Sequence, residues 1–365
     1  MSFLSFLNQE KTAFGLDMSE LSLKLAKLKR RGGKVFLESW NEIELPIGLI
    51  IDGEITDSQK IISLIHKLIK NCHGKKIFTK EVVSVLPEPK TFLKLIEIPI
   101  SDEKKLASAI KEEIERHIPL PADGMYLDWK IINNPFYNQD SSKIYALVGA
   151  SPKFISNQYT ELLDDAGLNP IALEIEGVAI ARSLTMEETE SIANKPAKVI
   201  IDFGATRTGL VVYDHGTIQF SLSIPISGEM ITKAIASGLD LGLDEAEKIK
   251  IACGLDKKRC QGSLGKILHD HIDDLATNIR NAISFYYNHF TEPSPVDKII
   301  ICGGGANFRN LDKTLSHKLD MKVDMGNPLQ NISTNQKYAT IPPDKISSYT
   351  TAIGLALRGM NLTND

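Results

Sequence analysis

The residues best suited to do chemistry in this sequence lie in one short stretch, Asp202-Phe203-Gly204-Ala205-Thr206-Arg207-Thr208. An Asp closing the apolar run Ile200-Ile201, then a glycine, then spaced hydroxyls, suits a strand–turn–strand hairpin that cradles a phosphate. Glycine permits positive φ and close backbone approach, so successive N–H groups can converge on an anion. The hydroxyls of Thr206 and Thr208 add donors, and Asp202 can hold a magnesium ion through its waters. A related pattern stands near the N-terminus, where Phe14-Gly15-Leu16-Asp17 precedes Met18-Ser19-Glu20-Leu21-Ser22-Leu23-Lys24-Leu25. Both read strand, Asp, tight turn, strand, and each passes through a polar turn (30–34; 214–217) into a third extended segment. The first copy departs from the second, with Ser19 in the place of Gly204 and Glu20 directly after it. A carboxylate about 5 Å from a phosphate charge costs roughly 3 kcal/mol at an effective dielectric of 20, about two orders of magnitude in affinity. Side chains alternate along a hairpin, which leaves two readings open: Glu20 faces the ligand and the hairpin is degenerate, or Glu20 faces solvent. In both, Asp17 can face a metal.

A second glycine-rich point is Ile299-Ile300-Ile301-Cys302-Gly303-Gly304-Gly305-Ala306-Asn307-Phe308. It reads as a buried strand, a triple-glycine turn and then a helix. Three glycines let the backbone lie flat against a planar base or a ribose, and equally allow tight packing. The pattern is neither the dinucleotide Gly-x-Gly-x-x-Gly nor a P-loop, since no Gly-Lys-Ser/Thr follows. Other constellations fail. His269 and His271, two apart on an expected helix, face different sides and make a poor metal pair. There is no His-Glu-x-x-His, no nucleophile-elbow serine and no Cys/His arrangement for covalent catalysis. Cys72, Cys253, Cys260 and Cys302 stand at no metal-like or redox spacing and read as reduced thiols.

The elements that must position these residues follow from periodicity. Short β-branched or continuous apolar runs at 82–86, 144–150, 199–202 and 298–302 read as buried strands. Helical patterns cover 57–71, 101–117, 152–166, 228–239, 244–252, 265–288 and 310–319. Ser101-Asp102-Glu103 supplies an N-cap and early acidic charge for the second of these, and Pro119 and Pro121 stop it. The loop 133–142 reads as a hairpin tip, and the polar stretch 185–195 is the clearest break. Alternating strands and helices mean an α/β architecture, and 365 residues are too many for one core and enough for two. The 42 Lys+Arg against 46 Asp+Glu leave a net charge of -4 and no strongly basic domain, which argues against a nucleic-acid partner. The run Lys27-Leu28-Lys29-Arg30-Arg31 falls at an expected hairpin turn and reads as solvated. No apolar run approaches the ~18 residues that span a bilayer. Met1 to Glu10 lacks the form of a signal peptide, and its Phe3, Leu4, Phe6 and Leu7 read as a tucked or frayed end, with contact to a membrane or partner as the alternative.

The order of hairpin, inserted module, second hairpin and triple-glycine turn resembles the actin-like ATPase superfamily. Within it the chain is similar to the PilM family of type IV pilus assembly proteins, relatives of the cell-division protein FtsA. Four segments carry the closer likeness. One is Ile114-Glu115-Arg116-His117-Ile118-Pro119-Leu120-Pro121 with Tyr126-Leu127-Asp128-Trp129. Another is Ser227-Gly228-Glu229-Met230-Ile231-Thr232-Lys233-Ala234-Ile235 with Leu243-Asp244-Glu245-Ala246-Glu247-Lys248. The third runs from Val296-Asp297-Lys298 through Asn307 and resumes at Gly326-Asn327-Pro328-Leu329. The last is Ser348-Tyr349-Thr350-Thr351-Ala352-Ile353-Gly354-Leu355-Ala356-Leu357-Arg358.

The resemblance implies an α/β, two-lobed actin-like ATPase fold of duplicated ribonuclease-H-like halves. The first lobe would comprise 10–88, 151–190 and 345–362, with a small α+β module, 89–150, inserted in it. The second lobe would have its core at 196–224 and 298–344 and an outer subdomain at 225–297. ATP would lie between Asp17 and Asp202, which would hold Mg2+. Its phosphates would meet Ser19, Ser22 and Lys24 on the first hairpin and Gly204, Ala205, Thr206, Arg207 and Thr208 on the second. Gly303, Gly304, Gly305 and Asn307 would take the adenine. Glu247 and Lys250 would face the ribose and base, with Glu245 and Lys248 the alternative pair by helical register. The family departs from this chain at Ser19-Glu20-Leu21, where its members carry Gly-Ser-Ser. The resemblance further implies a cytoplasmic adaptor at the inner face of the cytoplasmic membrane. It would bind the N-terminal tail of a PilN-like bitopic inner-membrane protein beside the inserted module, reach the membrane only through that partner, and be at most a weak ATPase. The alternatives are a self-associating FtsA-like or secretion-platform protein, or an active ATPase or phosphotransferase of the same fold.

Overall fold

The computed structural model describes residues 12–98, 106–117, 122–137, 142–185 and 195–362. In chain order these form β1 (Phe14–Met18), β2 (Ser22–Arg31), β3 (Lys34–Glu44), β4 (Ile50–Ile51), β5 (Glu54–Ile55), α1 (Ser58–Lys70), β6 (His73–Gly74), β7 (Glu81–Leu86) and β8 (Phe92–Ile98). There follow α2 (Leu106–His117), β9 (Met125–Ile131), β10 (Ile144–Pro152), α3 (Lys153–Asp165), β11 (Asn169–Ile175), α4 (Glu176–Leu184), β12 (Ala197–Phe203), β13 (Thr208–Asp214) and β14 (Thr217–Ile224). The rest of the chain gives α5 (Gly228–Leu239), α6 (Leu243–Cys253), α7 (Ser263–Ile267), α8 (His269–His289), β15 (Val296–Cys302), α9 (Leu311–Leu319), β16 (Lys322–Met325) and α10 (Thr350–Leu362). Two compact units result, one of Met1–Pro87, Phe154–Ser183 and Pro328–Asp365, the other of Glu88–Lys153 and Leu184–Asn327.

The first unit is built on a six-stranded sheet in the order β11-β7-β1-β2-β3-β6. β1, β2 and β3 form an antiparallel meander, while β7 runs parallel to β1. Helix α1 begins where the Asp57 side chain accepts from Lys60 N, and it ends with Lys67 and Lys70 at its negative pole. Its Ile61, Ile62, Ile65 and Leu68 bury against Leu16, Leu23, Leu25 and Tyr159. The C-terminal helix α10 presses on β1 so closely that a Cβ at Gly15 would stand 2.6 Å from Ala356 N. Behind it, the buried carboxylate of Glu174 takes Arg182 through both oxygens (2.5 and 2.6 Å) and Arg358 at 2.6 Å.

The second unit carries an eight-stranded sheet in the order β16-β15-β12-β13-β14-β8-β10-β9. The apolar run expected at 199–202 is the middle of β12, with Val199, Ile200 and Ile201 buried. Residues 89–150 fall between segments of the first unit along the chain, yet β8, β10 and β9 extend the second unit's sheet, with Lys94 of β8 opposite Phe220 of β14. Within this module Leu106 and Ile110 of α2 cover Ile96, Ile98, Ala146 and Val148. The hairpin expected around 133–142 is β9–β10.

The cysteine reading is corrected. Cys253 and Cys260 are joined as a disulfide with Cα atoms 5.9 Å apart, within the bonding range, while Cys72 and Cys302 remain thiols. Gly254, at φ 56°, ends α6 and turns the chain back on itself, which a seven-residue spacing alone does not reveal. The long C-terminal helical pattern is also split, into α7 and α8. The N-terminal segment, the cap at Ser101 to Glu103, the prolines Pro119 and Pro121, and the break at 186–194 lie outside the described residues. No helix among the described residues is long and apolar enough to cross a membrane.

Candidate functional site

In the second unit, the Asp202 hairpin joins β12 to β13. Asp202 pairs with Gly209 across the hairpin and with Cys302 on the other side, and the Cys302 thiol donates to Asp202 Oδ1 at 3.8 Å. The turn closes through Gly204 N donating to Arg207 O at 2.9 Å. Its carbonyls are then used by α5, because Gly228 N donates to Gly204 O (3.0 Å) and Glu229 N to Ala205 O (2.8 Å). The turn is thereby locked to the positive end of a twelve-residue helix, a setting that favours an anion.

Helix α6 supplies the cation. Lys250 Nζ donates to Gly228 O (3.0 Å) and Thr232 Oγ1 (2.9 Å) and pairs with Glu247 Oε2 at 2.6 Å. A Cβ placed on Gly228 would lie 3.5 Å from both Gly204 O and Lys250 Nζ, so the ammonium sits beside the hairpin turn. Glu247 and Lys250 therefore converge there, whereas Glu245 and Lys248 are exposed. Thr208 has other work: it is fully buried and its hydroxyl donates to Ile226 O at 2.5 Å. Gly204, Ala205, Thr206 and Arg207 remain as the accessible part of the turn.

The triple glycine packs on the end of β12. Gly303 has φ 88°, and a Cβ there would stand 2.8 Å from Phe203 O; one on Gly305 would stand 2.7 Å from the same oxygen. Gly303 and Gly305 thus serve close approach to the Asp202 strand, leaving Gly304 and Asn307 exposed at the turn.

In the first unit, Asp17 is buried and sits opposite Lys24 across the β1–β2 hairpin. Burial raises its pKa above the usual carboxylate value, against the opposing pull of Lys24. The turn is closed on itself: Ser19 N donates to Ser22 O (3.0 Å), the Ser19 and Ser22 hydroxyls are 3.0 Å apart, and Lys24 Nζ donates to Ser22 Oγ at 2.6 Å. Glu20 is half-buried. The hydroxyl of Tyr159 is pushed up by burial and then by Glu176, Glu20 and Asp17, so three carboxylates share one electrostatic neighbourhood. Glu20 adds negative charge there. Glu176, the first residue of α4, is a neighbour of this hairpin's charges that the sequence reading did not single out; its only sequence signal is an acidic residue at a strand-to-helix junction.

The predicted residues thus form two groups. Asp17, Ser19, Ser22 and Lys24 are neighbours in the first unit, and Asp202, Gly204 to Thr208, Glu247, Lys250 and Gly303 to Asn307 are neighbours in the second. Among the described residues no three His, Cys, Asp or Glu side chains converge as a metal site. Magnesium is usually held by one or two carboxylates together with waters and substrate phosphates, and Asp202 at the end of β12 has the chemistry for that part.

The family model described as type IV pilus assembly protein PilM matches residues 15–360. Among curated proteins, the cell division protein FtsA of Neisseria meningitidis serogroup B is 27% identical over 127 residues, covering 35% of this chain and 29% of that protein. FtsA of Buchnera aphidicola subsp. Schizaphis graminum is 24% identical over 181 residues, covering 43% and 42%. The chain therefore spans less than half the length of these relatives. Among solved structures it is similar to a chain of the PilM–PilN type IV pilus biogenesis complex, with a TM-score of 0.80 and 23% identity over 95% of this chain and 98% of that one. MreB5 of Spiroplasma citri bound to AMPPNP is a more distant likeness, with a TM-score of 0.54 and 13% identity over 96% of both chains. These structures establish the actin-like ATPase fold. The family match, which takes in both hairpins, α6 and the triple-glycine turn, makes this chain a member of the PilM family of type IV pilus assembly proteins.

Proposed function

We propose that this chain is a nucleotide-binding adaptor of the type IV pilus assembly machinery. It takes ATP with Mg2+ on its two hairpins and holds the N-terminal cytoplasmic tail of a PilN-like inner-membrane protein beside the module of β8, β9, β10 and α2. The observation that carries the reading is the likeness, over nearly the full chain, to a PilM–PilN complex. The site supports it from below. Asp202 stands at a strand end, the accessible Gly204–Arg207 turn is locked to α5, and the Lys250–Glu247 pair is fixed beside it. When bound, Mg2+ would neutralise phosphate charge; Asp202 and Asp17 are the residues to hold it through waters. Lys250 and the turn orient the phosphates, and Gly304 and Asn307 face the base. Phosphoryl transfer would also need a positioned base or water-orienting group, and the proposed role is binding, with at most weak turnover.

The test is calorimetric titration of the purified chain with magnesium-ATP, with Asp202→Ala as control. Micromolar binding lost in the variant is expected. Absence of binding to the wild type would reduce the chain to a scaffold that keeps an ATPase's shape. The partner half is checked by titrating the cognate PilN-like N-terminal peptide with and without magnesium-ATP. Coupling of about 1–3 kcal/mol is expected, and equal affinities would remove the coupling while leaving the adaptor.

A further inference from the structure

Two stretches of the first unit that the hairpin site does not use are wholly basic. Residues 27–34 hold Lys27, Lys29, Arg30, Arg31 and Lys34, and residues 67–80 hold Lys67, Lys70, Lys75, Lys76 and Lys80; neither contains an Asp or Glu. The fold brings Lys75 of the second stretch to the strands of the first, at one edge of the sheet. β6 pairs with β3 through Trp40↔His73 and Ser39↔Gly74, and Lys75 N donates to Glu38 O at 3.1 Å. Gly74, at φ 89°, allows this seat, since a Cβ there would run into Glu38 O. Lys27, Lys29 and Lys75 then converge on the single buried carboxylate of Glu38, at 3.1, 3.8 and 3.4 Å. One carboxylate faces three ammonium groups, so the cluster keeps a positive excess. Arg30 and Arg31 at the end of β2, Lys34 at the start of β3 and Lys76 just after β6 are exposed. Next to Lys76 the ring of Phe78 is 87% exposed.

A large exposed apolar ring, on an irregular link whose charged residues at 75–80 are all lysines, suits the interface of an anionic bilayer. There ammonium groups sit among the headgroups and the ring reaches the acyl boundary. The aromatic member, Phe78, is exposed on the irregular link between β6 and β7, whereas a nucleic-acid surface would stack bases on such rings along a basic groove. The whole chain carries a net charge of -4, so this run of cations stands against an overall acidic chain. We propose that this edge, centred on Phe78, docks directly on anionic phospholipid. One apolar side chain with a basic patch gives only reversible attachment, effective as the second of two membrane contacts. The proposal goes beyond the adaptor reading, in which the partner supplies the tether, and it involves neither hairpin.

The experiment is sedimentation of the full chain, without partner or nucleotide, with phosphatidylcholine vesicles that contain or lack phosphatidylglycerol. Binding is expected only to the anionic vesicles and is released by high salt. Arg31→Glu with Lys76→Glu should weaken it at least about 25-fold, and Phe78→Ser several-fold. Both variants should keep the wild-type unfolding midpoint and the wild-type response to magnesium-ATP. If the double reversal lowers that midpoint, Arg30→Gln with Arg31→Gln, confined to the exposed turn, takes its place. The proposal is overturned by failure to bind anionic vesicles at low salt, by equal binding to neutral vesicles, or by variants that bind as the wild type does. Displacement from the vesicles by a duplex oligonucleotide, unaffected by Phe78→Ser, would also overturn it and identify a nucleic-acid surface.

Discussion

Two buried carboxylates of the first unit show opposite physics, and each leads to a measurement. Burial raises the pKa of Asp17, and Lys24 only partly opposes it. The folded chain therefore binds this proton more tightly than the unfolded chain, so stability falls as pH rises from the unfolded value through the folded one. Asp17→Asn should accordingly raise the unfolding midpoint at neutral pH by a few degrees, with the gain shrinking in acid, while weakening magnesium-ATP binding. That pairing marks a carboxylate kept for its chemistry rather than for the fold. A lower midpoint for the variant at neutral pH would instead make the Asp17–Lys24 pair structural. Glu38 behaves in the reverse sense. Burial pulls its pKa up, but Lys27, Lys29 and Lys75 outweigh this and hold it below the usual carboxylate value. Its contribution is present above the unfolded pKa and is lost as pH falls through the folded one. Glu38→Gln should cost about 1–3 kcal/mol at neutral pH and flatten that part of the acid dependence. Denaturant melts of both chains across acid to neutral pH would show whether it does.

At the scale of elements, close approach decides what can change. Gly354 of α10 lies against α4 so tightly that an added Cβ would stand 2.5 Å from the carbonyl carbon of Ala179. Gly354→Ala must therefore push the helices apart, at a cost of about 1–3 kcal/mol or more, despite the better helix propensity of alanine. A midpoint equal to the wild type would show that the α4–α10 contact can yield. Much at this scale was legible in the sequence. Both Asp hairpins, α1, α5 and α9 follow from local periodicity, caps and turn residues, because those signals are written within a dozen neighbours. What escaped is what depends on distant partners. Thr208 reads as a phosphate donor by type and spacing, and only the packing of Ile226 reveals that its hydroxyl is taken. Glu176 opens a nine-residue helix too short for a clear period. Cys253 and Cys260 meet through a turn at Gly254 that spacing does not specify. The glycines of 303–305 were open between ligand contact and packing, and it is Phe203 O that shows two of them to be filled by the protein itself.

For the whole molecule, the least local feature is the placement of residues 89–150. They interrupt the first unit's chain, yet β8 hydrogen-bonds to β14 and carries β10 and β9 with it, a pairing whose partners are more than a hundred residues apart. A sheet shared in this way ties the module's stability to the second unit's core, in which Ile231 and Ile235 of α5 and Ile272 and Leu275 of α8 pack on Val199, Ile201 and Val212. Cooperative units follow such contiguous packing rather than chain order. Ile231→Ala, which removes a fully buried side chain, should cost about 2–5 kcal/mol. Native-state hydrogen exchange should then speed up in β12, β13 and β14, and β8 and β10 should follow them through the shared ladder. If β8 and β10 keep wild-type protection while β12 to β14 lose theirs, the module folds on its own Ile96–Ile110–Val148 core. The proposed partner-binding surface would then be a separable body, open to movement without disturbing the proposed nucleotide hairpin. Joint acceleration would instead make the module a rigid extension of the sheet that carries Asp202. In that case a change at the proposed phosphate turn has a direct mechanical route to the proposed tail-binding surface, along β13, β14 and β8.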